Sequence, residues 1–156
     1  MNVAGIDFST HAVDIVKLGF DSDQATWDRF DLVGERALER VCSAVTHVPR
    51  GSYWDDCALV AIERPYGPGR DILFHLHVAV GCVTAALPDR LRPPWMLHPA
   101  EWRKACGMAG NASKDDVRDF AWTWAPLLWD RPPQDALDAA CIAYAARALN
   151  AKGAAA

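Results

Sequence analysis

The segment VAGIDFST, residues 3–10, decides how the rest of the chain is interpreted. Its apolar residues are typical of a buried strand, but the run meets a carboxylate at Asp7 before it resumes at Phe8. A lone buried carboxylate is costly unless it is hydrogen-bonded, paired with a cation or bound to a metal. Asp7 is therefore a candidate functional residue.

The composition is that of a globular protein. The chain has 156 residues, of which 51% are hydrophobic and 23% are charged, and this suits one domain with a real core. We predict a single domain over residues 1–150 and a flexible tail over 151–156.

No apolar run approaches the roughly 20 residues that a membrane-spanning helix needs, and the N-terminus lacks the features of a signal peptide. The five scattered cysteines are not typical of a disulfide scaffold or a zinc site. We therefore expect a cytoplasmic protein with no membrane partner.

The charge is unevenly distributed. The whole chain carries a net charge of -4, but residues 64–118 hold eight Lys and Arg against five Asp and Glu, a net +3. A locally basic face can hold phosphates even on an acidic chain. Ordinary scatter of surface charge explains the same numbers equally well.

The pattern of apolar residues predicts an α/β fold. The predicted strands cover residues 2–8, 12–19, 25–32, 57–63 and 93–97. The predicted helices cover residues 34–48, 71–86, 99–107, a segment that begins at a Ser113–Asp116 capping box and runs toward Pro126, and 134–150. Three strands in a meander, followed by alternating helices and strands, predict a mixed sheet with helices packed against it.

A second acid ends another apolar strand. Glu63 closes LVAIE as Asp7 closes VAGID, so the two carboxylates meet at one edge of the sheet if their strands are neighbours. Near the C-terminus, PQDALDAA puts Asp135 and Asp138 three residues apart at the start of a helix. That spacing places both on one side of the helix, about one turn apart.

Four converging carboxylates would repel one another unless a cation neutralised them. Hard oxygen ligands of this kind suit Mg²⁺ or Mn²⁺. Each acid also has a simpler explanation, since Asp135 is favoured by the dipole at a helix N-terminus and Glu63 is able to pair with a basic side chain such as Arg64. Taken together, the four acids favour a metal site.

The order of these elements resembles that of the RuvC Holliday-junction resolvases of the ribonuclease H-like superfamily, over nearly the whole chain. The matching segments are GIDFS (5–9), AIERPY (61–66), GMAGNASKDDV (107–117) and DALDAA (135–140). The resemblance implies a ribonuclease H-like fold, with a mixed five-stranded sheet of a three-strand meander plus two parallel strands, flanked by helices.

The resemblance also implies an activity. Asp7, Glu63, Asp135 and Asp138 would be catalytic metal ligands for two Mg²⁺ ions per active site, with Mn²⁺ able to substitute. The protein would be a structure-selective endonuclease that hydrolyses four-way junctions and other branched DNA to 5′-phosphate and 3′-hydroxyl ends. A homodimer is implied because a four-way junction has two-fold symmetry and needs two symmetric cuts.

Further residues are assigned to DNA by the same resemblance. Tyr66 would stack on bases at the junction centre, although it also fits a simple loop turn. Lys114 would be a catalytic and phosphate-binding residue, and either Arg103 or Lys104 would occupy a second basic position. A solvated helix face is the alternative for each of these cations. The predicted DNA-binding set comprises Arg64, Tyr66, Arg103, Lys104, Lys114 and Arg118.

Other functions are open to the same residues. GIDFST also resembles the first phosphate-binding segment of actin-like ATPases and sugar kinases, in which Ser9 and Thr10 would face ATP. That function needs two such lobes and leaves Glu63 and the DxxD pair unexplained. A non-catalytic nucleic-acid-binding module of the ribonuclease H-like kind would be expected to have lost an acid. An RNA-directed nuclease with the same metal site also fits the sequence.

Overall fold

A computed structural model describes residues 1–66, 69–124 and 132–154. Its centre is a five-stranded sheet in the order β3-β2-β1-β4-β5. The strands are β1 (Asn2–Phe8), β2 (Ala12–Gly19), β3 (Ala25–Asp31), β4 (Cys57–Glu63) and β5 (Trp95–Leu97). The first three pair as an antiparallel meander, β4 lies parallel to β1, and β5 lies parallel to β4. The predicted mixed sheet is confirmed.

Five α-helices flank the sheet in the described residues. They are α1 (Ala37–His47), α2 (Arg70–Ala86), α3 (Pro99–Ala105), α4 (Lys114–Trp124) and α5 (Gln134–Ala154). The predicted capping box is confirmed, because Ser113 N–H donates to Asp116 Oδ2 at 2.7 Å and Asp116 N–H donates to Ser113 Oγ at 3.1 Å. Among the described residues, no helix combines the length and the hydropathy of a membrane-spanning segment. Residues 125–131, into which α4 was predicted to run, lie outside the described part of the chain.

The last helix is longer than the sequence pattern suggested. It continues to Ala154, so residues 151–154, which were expected to form a flexible tail, are helical. Alanine and lysine are good helix formers, and the single Gly153 falls at the end, where the cost of a glycine is smallest.

The alternation of β1 separates two layers of helices. Ala4, Ile6 and Phe8 face a core that includes residues of α1 and α2. Val3 faces the opposite side, where α3, α4 and α5 cover the sheet. Because successive side chains of a strand point to opposite faces, Asp7 shares the α5 face with Val3 and Gly5.

Gly5 allows α5 to lie directly on the sheet. A Cβ atom at this position would overlap with the backbone oxygen of Ala139 and the backbone nitrogen of Ala143. Both alanines are fully buried. The absence of side-chain bulk on both elements brings the N-terminal half of α5 close to β1, two residues before Asp7.

We expect Gly5→Ala to destabilise the protein, because the added methyl group meets backbone atoms that cannot rotate away. Overpacking of this kind typically costs about 1–3 kcal/mol, measurable as a lower free energy of unfolding in urea. Gly81→Ala is the matched control, because a Cβ there has open space and the site is inside α2. Replacing a mid-helix glycine should raise the stability by about 0.5–1 kcal/mol. If Gly5→Ala were as stable as the unaltered protein, α5 would not lie this close to β1.

Candidate metal centre

Asp7 lies near the end of β1 with three other carboxylates around it. Burial raises the pKa of Asp7 well above its usual range, and the negative charges of Glu63, Asp138 and Asp135 raise it further. The backbone N–H of Phe8 partly opposes this shift by lowering the pKa. The fold therefore brings together all four acids that the sequence predicted as ligands, and we call them the acidic quartet.

Glu63 comes from the end of β4, the strand that pairs with β1. The Nε1–H group of the fully buried Trp102 donates a 2.8 Å hydrogen bond to Glu63 Oε2. Burial raises the pKa of Glu63, the Trp102 hydrogen bond lowers it, and Asp138 and Asp135 raise it. Trp102 therefore fixes one oxygen of this carboxylate.

Asp135 and Asp138 come from the first turns of α5. Gln134 Nε2 donates a 2.9 Å hydrogen bond to Asp138 Oδ1. Burial raises the pKa of Asp138, and the Gln134 hydrogen bond lowers it. As with Glu63, one oxygen of Asp138 is held by the protein, and in the described residues the other makes no hydrogen bond or ion pair.

Two cations lie beside the quartet. Arg103 lowers the pKa of both Glu63 and Asp138, and Lys114 lowers that of Asp138. The guanidinium carbon of Arg103 lies 4.8 Å from the centre of the Trp102 ring. The Nε atom of Arg103 is buried and has no hydrogen-bond partner within the described residues. Two positive side chains compensate the four acids only in part.

Of the two basic residues that the sequence left as alternatives, Arg103 is the one beside the quartet. Lys104 instead lines a separate cavity of about 640 Å³, together with Trp95, Leu149 and Lys152. Consecutive residues of a helix point about 100° apart, so only one of the two can face the acids.

The remaining residues of the predicted DNA-binding set are Tyr66, Arg64 and Arg118. Tyr66 is 70% exposed, and its ring packs edge-on against the His98 ring, with the two ring centroids 5.1 Å apart. A cavity of about 430 Å³ is lined by Tyr66, Glu63, His98 and Arg103, among others. Arg64 is exposed directly after β4. Arg118 is paired with Asp115 at 2.7 Å and lies 3.9 Å from Asp119, so its charge is engaged within α4.

Sequence reasoning missed several side chains that shape this centre. Trp102, Gln134 and His98 hold or border the predicted residues, and nothing in their spacing marked them. Asp14 was also missed. It lies directly opposite Asp7 on β2, and its place inside the apolar run AVDIVKLG was a signal.

The chemistry of the quartet fits a divalent cation. Carboxylates are hard oxygen ligands, and a bound Mg²⁺ or Mn²⁺ would relieve the repulsion that raises the pKa values of Asp7, Glu63 and Asp138. Within the ranges that the structure describes, no three His, Cys, Asp or Glu side chains are already arranged around a single ion position.

Comparisons with known proteins give a fold. No protein-family model matches the chain, and no curated protein matches it. Two solved structures of RuvC from Thermus thermophilus do match it. One superimposes with a TM-score of 0.72 at 18% identity and covers 98% of this chain and 97% of that one. The other, described as a complex with Holliday junction substrate, gives 0.77 at 19% identity and covers 98% and 96%. The strand order, the flanking helices and these superpositions agree, and the chain has the ribonuclease H-like fold of RuvC.

Proposed function

We propose that this protein is a metal-dependent, structure-selective endonuclease that cleaves four-way junctions and other branched DNA. The observation that carries the proposal is the convergence of Asp7, Glu63, Asp135 and Asp138 at one edge of the sheet. The shared fold supports it, since one of the similar RuvC structures is a complex with Holliday junction substrate. An ATP-binding function of the actin-like kind would leave the proximity of Glu63, Asp135 and Asp138 to Asp7 unexplained.

The acidic quartet would hold two divalent cations, Mg²⁺ or Mn²⁺. When bound, two such ions supply activation of a water molecule and stabilisation of the departing 3′ oxygen, which gives 5′-phosphate and 3′-hydroxyl ends. Trp102 and Gln134 would hold one oxygen each of Glu63 and Asp138, so that the second oxygen of each stays available as a ligand.

The neighbouring cations would bind the DNA backbone. Arg103 and Lys114 lie beside the acids, where a charge-assisted contact with a phosphate both positions it and neutralises it. Arg64, Lys104 and Arg118 would contribute more peripheral phosphate contacts. Of these, Arg118 would first have to leave its pairing with Asp115.

Tyr66 would recognise the branch point. Its ring is exposed and borders the cavity that Glu63 and Arg103 line, so a base that stacked on it would lie next to the scissile phosphate. A junction centre offers bases that unstack at low cost, whereas an intact duplex does not.

We also propose a cytoplasmic homodimer, because a junction with two-fold symmetry requires two symmetric cuts. The sequence left residues Leu73, Phe74, Leu76 and Val80 of α2 as either dimer face or core. Leu76 and Val80 pack partly against the core, whereas Phe74 is 57% exposed. Phe74 and the equally exposed Ile72 are therefore the better candidates for a subunit contact.

A cleavage panel tests the activity directly. Labelled four-way junction, fork, flap, linear duplex and RNA–DNA hybrid would be incubated with the protein, with Mg²⁺ or with a chelator. We expect cleavage of the branched DNAs in Mg²⁺ and none with the chelator.

Asp7→Asn should abolish cleavage while junction binding persists, because it removes a ligand charge at little steric cost. Full activity of this variant would contradict the metal site.

The role of Tyr66 is tested by substrate selectivity. Base–aromatic stacking is worth about 1–3 kcal/mol per base, so Tyr66→Ala should slow junction cleavage by roughly ten- to a hundredfold. Residual cleavage of linear DNA should hardly change, and Tyr66→Phe should keep most junction activity because the ring is retained. An equal loss on every substrate would mean that Tyr66 supports the Glu63 loop instead.

The role of Lys114 is tested by salt dependence. Lys114→Ala should weaken junction binding and make the slope of log affinity against log salt shallower by about one ion, because one phosphate contact is lost. Arg50→Ala is the control, since Arg50 is an exposed cation just after α1, on the opposite side of the sheet from α5. Identical slopes for the two variants would exclude a phosphate contact at Lys114.

A further inference from the structure

A row of charged residues crosses three strands beside the acidic quartet. Asp14 on β2 pairs in register with Asp7 on β1, and Arg29 on β3 pairs with Asp14. Side chains directly opposite each other on neighbouring strands share a face, with Cβ atoms about 4.5–5.5 Å apart. Asp14 is therefore a fifth carboxylate on the α5 face, next to Asp7.

Asp14 has no solvent exposure at all. Asp14 Oδ1 accepts a 2.9 Å hydrogen bond from Trp27 Nε1, and Asp14 Oδ2 accepts one of 2.9 Å from Arg29 NH1. Asp135 lies close enough to raise the pKa of Asp14, in addition to the larger effect of burial. A buried carboxylate near other carboxylates is costly, and here Arg29 supplies the compensating charge.

Both oxygens of Asp14 are thus occupied, although they have the same hard-ligand chemistry as the quartet. Arg29 is itself held in place, because its Nε group donates to Asp31 Oδ1 at 3.3 Å. A guanidinium remains charged at any working pH and presents its donors in one rigid plane, and Arg29 uses one of them for Asp14 and another for Asp31. It is well suited to keep Asp14 from turning toward a metal ion.

We propose that Arg29 sequesters Asp14 from the metal centre, so that divalent cations are bound by four carboxylates and not by five. This inference rests on the function proposed above and adds a residue pair that sets how the site binds its ions. Arg29 acts through Asp14 and is a positioning residue. A purely structural pair that ties β2 to β3 would affect stability alone.

Binding of Mn²⁺ alone, followed by electron paramagnetic resonance without DNA, tests the proposal. In Arg29→Gln, Asp14 is released as a ligand, and we expect Mn²⁺ to bind about tenfold more tightly. In Arg29→Gln with Asp14→Asn, affinity should return to that of the unaltered protein. Line broadening by ¹⁷O-labelled water counts the waters on bound Mn²⁺, and Arg29→Gln should show one fewer than the double variant.

Two further variants complete the set. Arg29→Lys keeps the charge but loses the planar guanidinium that bonds Asp14 and Asp31 together, so its affinity for Mn²⁺ should lie between those of the unaltered protein and Arg29→Gln. This variant provides a test should Arg29→Gln fold poorly. Arg90→Gln removes the same charge at the beginning of β4, where Arg90 contacts the carbonyls of Trp54 and Cys57. It should bind Mn²⁺ as the unaltered protein does.

The outcomes separate the two proposals. Unchanged affinity in both Arg29 variants, with lower melting temperatures, would overturn the sequestration and leave a structural pair. Tighter binding without loss of a water would overturn it in favour of a through-space charge effect. If the unaltered protein bound no more Mn²⁺ than Asp7→Asn does, the metal centre itself would be wrong, and the sequestration of Asp14 would fail with it.

Discussion

The backbone-to-backbone contact of α5 with β1 is the constraint on which the rest of the structure depends. Gly5 leaves space for the carbonyl of Ala139 and the amide of Ala143, and no larger residue fits between them. The contact fixes the height of α5 above the sheet. It thereby sets how far the first turns of that helix stand from the end of β1, where Asp7 lies. A helix held one side-chain layer further away would leave Asp135 and Asp138 too distant from Asp7 for the four acids to form one cluster.

The electrostatics of the site run against the stability of the fold. Burial raises the pKa values of Asp7, Glu63 and Asp138, because removing a charged carboxylate from water costs free energy. Repulsion among the acids adds to that cost. The protein offsets it with directed hydrogen bonds and with cations at the rim of the cluster. These partners hold the acids in place but leave a net negative charge, which is the condition that attracts a divalent ion.

The sequence predicted the sheet well because period-two alternation and buried apolar runs are local signals. The boundaries of β1, β2 and β4 follow directly from them. The four acids were also visible, since Asp7 and Glu63 end apolar strands, and Asp135 and Asp138 lie three residues apart at the start of a helix. Partners such as Trp102 were not visible, because their role depends on how α3 packs against α5 next to the end of β4. The choice between Arg103 and Lys104 required the rotation of α3 about its axis, which adjacent cations on a short helix do not reveal. Asp14 was visible as a charge in an apolar strand, but its meaning emerged only from the pairing with Arg29.

The pleat of β1 gives one strand two duties. Ala4, Ile6 and Phe8 build the apolar core beneath α1 and α2, while Gly5 and Asp7 serve the opposite face. Side chains of β1 alternate between the two faces with a period of two residues. Inserting or deleting one residue early in β1 would therefore exchange the two faces. Asp7 would then point into hydrocarbon, and a bulky aliphatic side chain would sit where α5 needs none. A substitution in β1 changes the side chain on one face only, whereas an insertion or deletion changes the side chains on both faces at once. The length of β1 is therefore constrained by both faces at once, whereas a residue such as Gly5 is constrained by one face only.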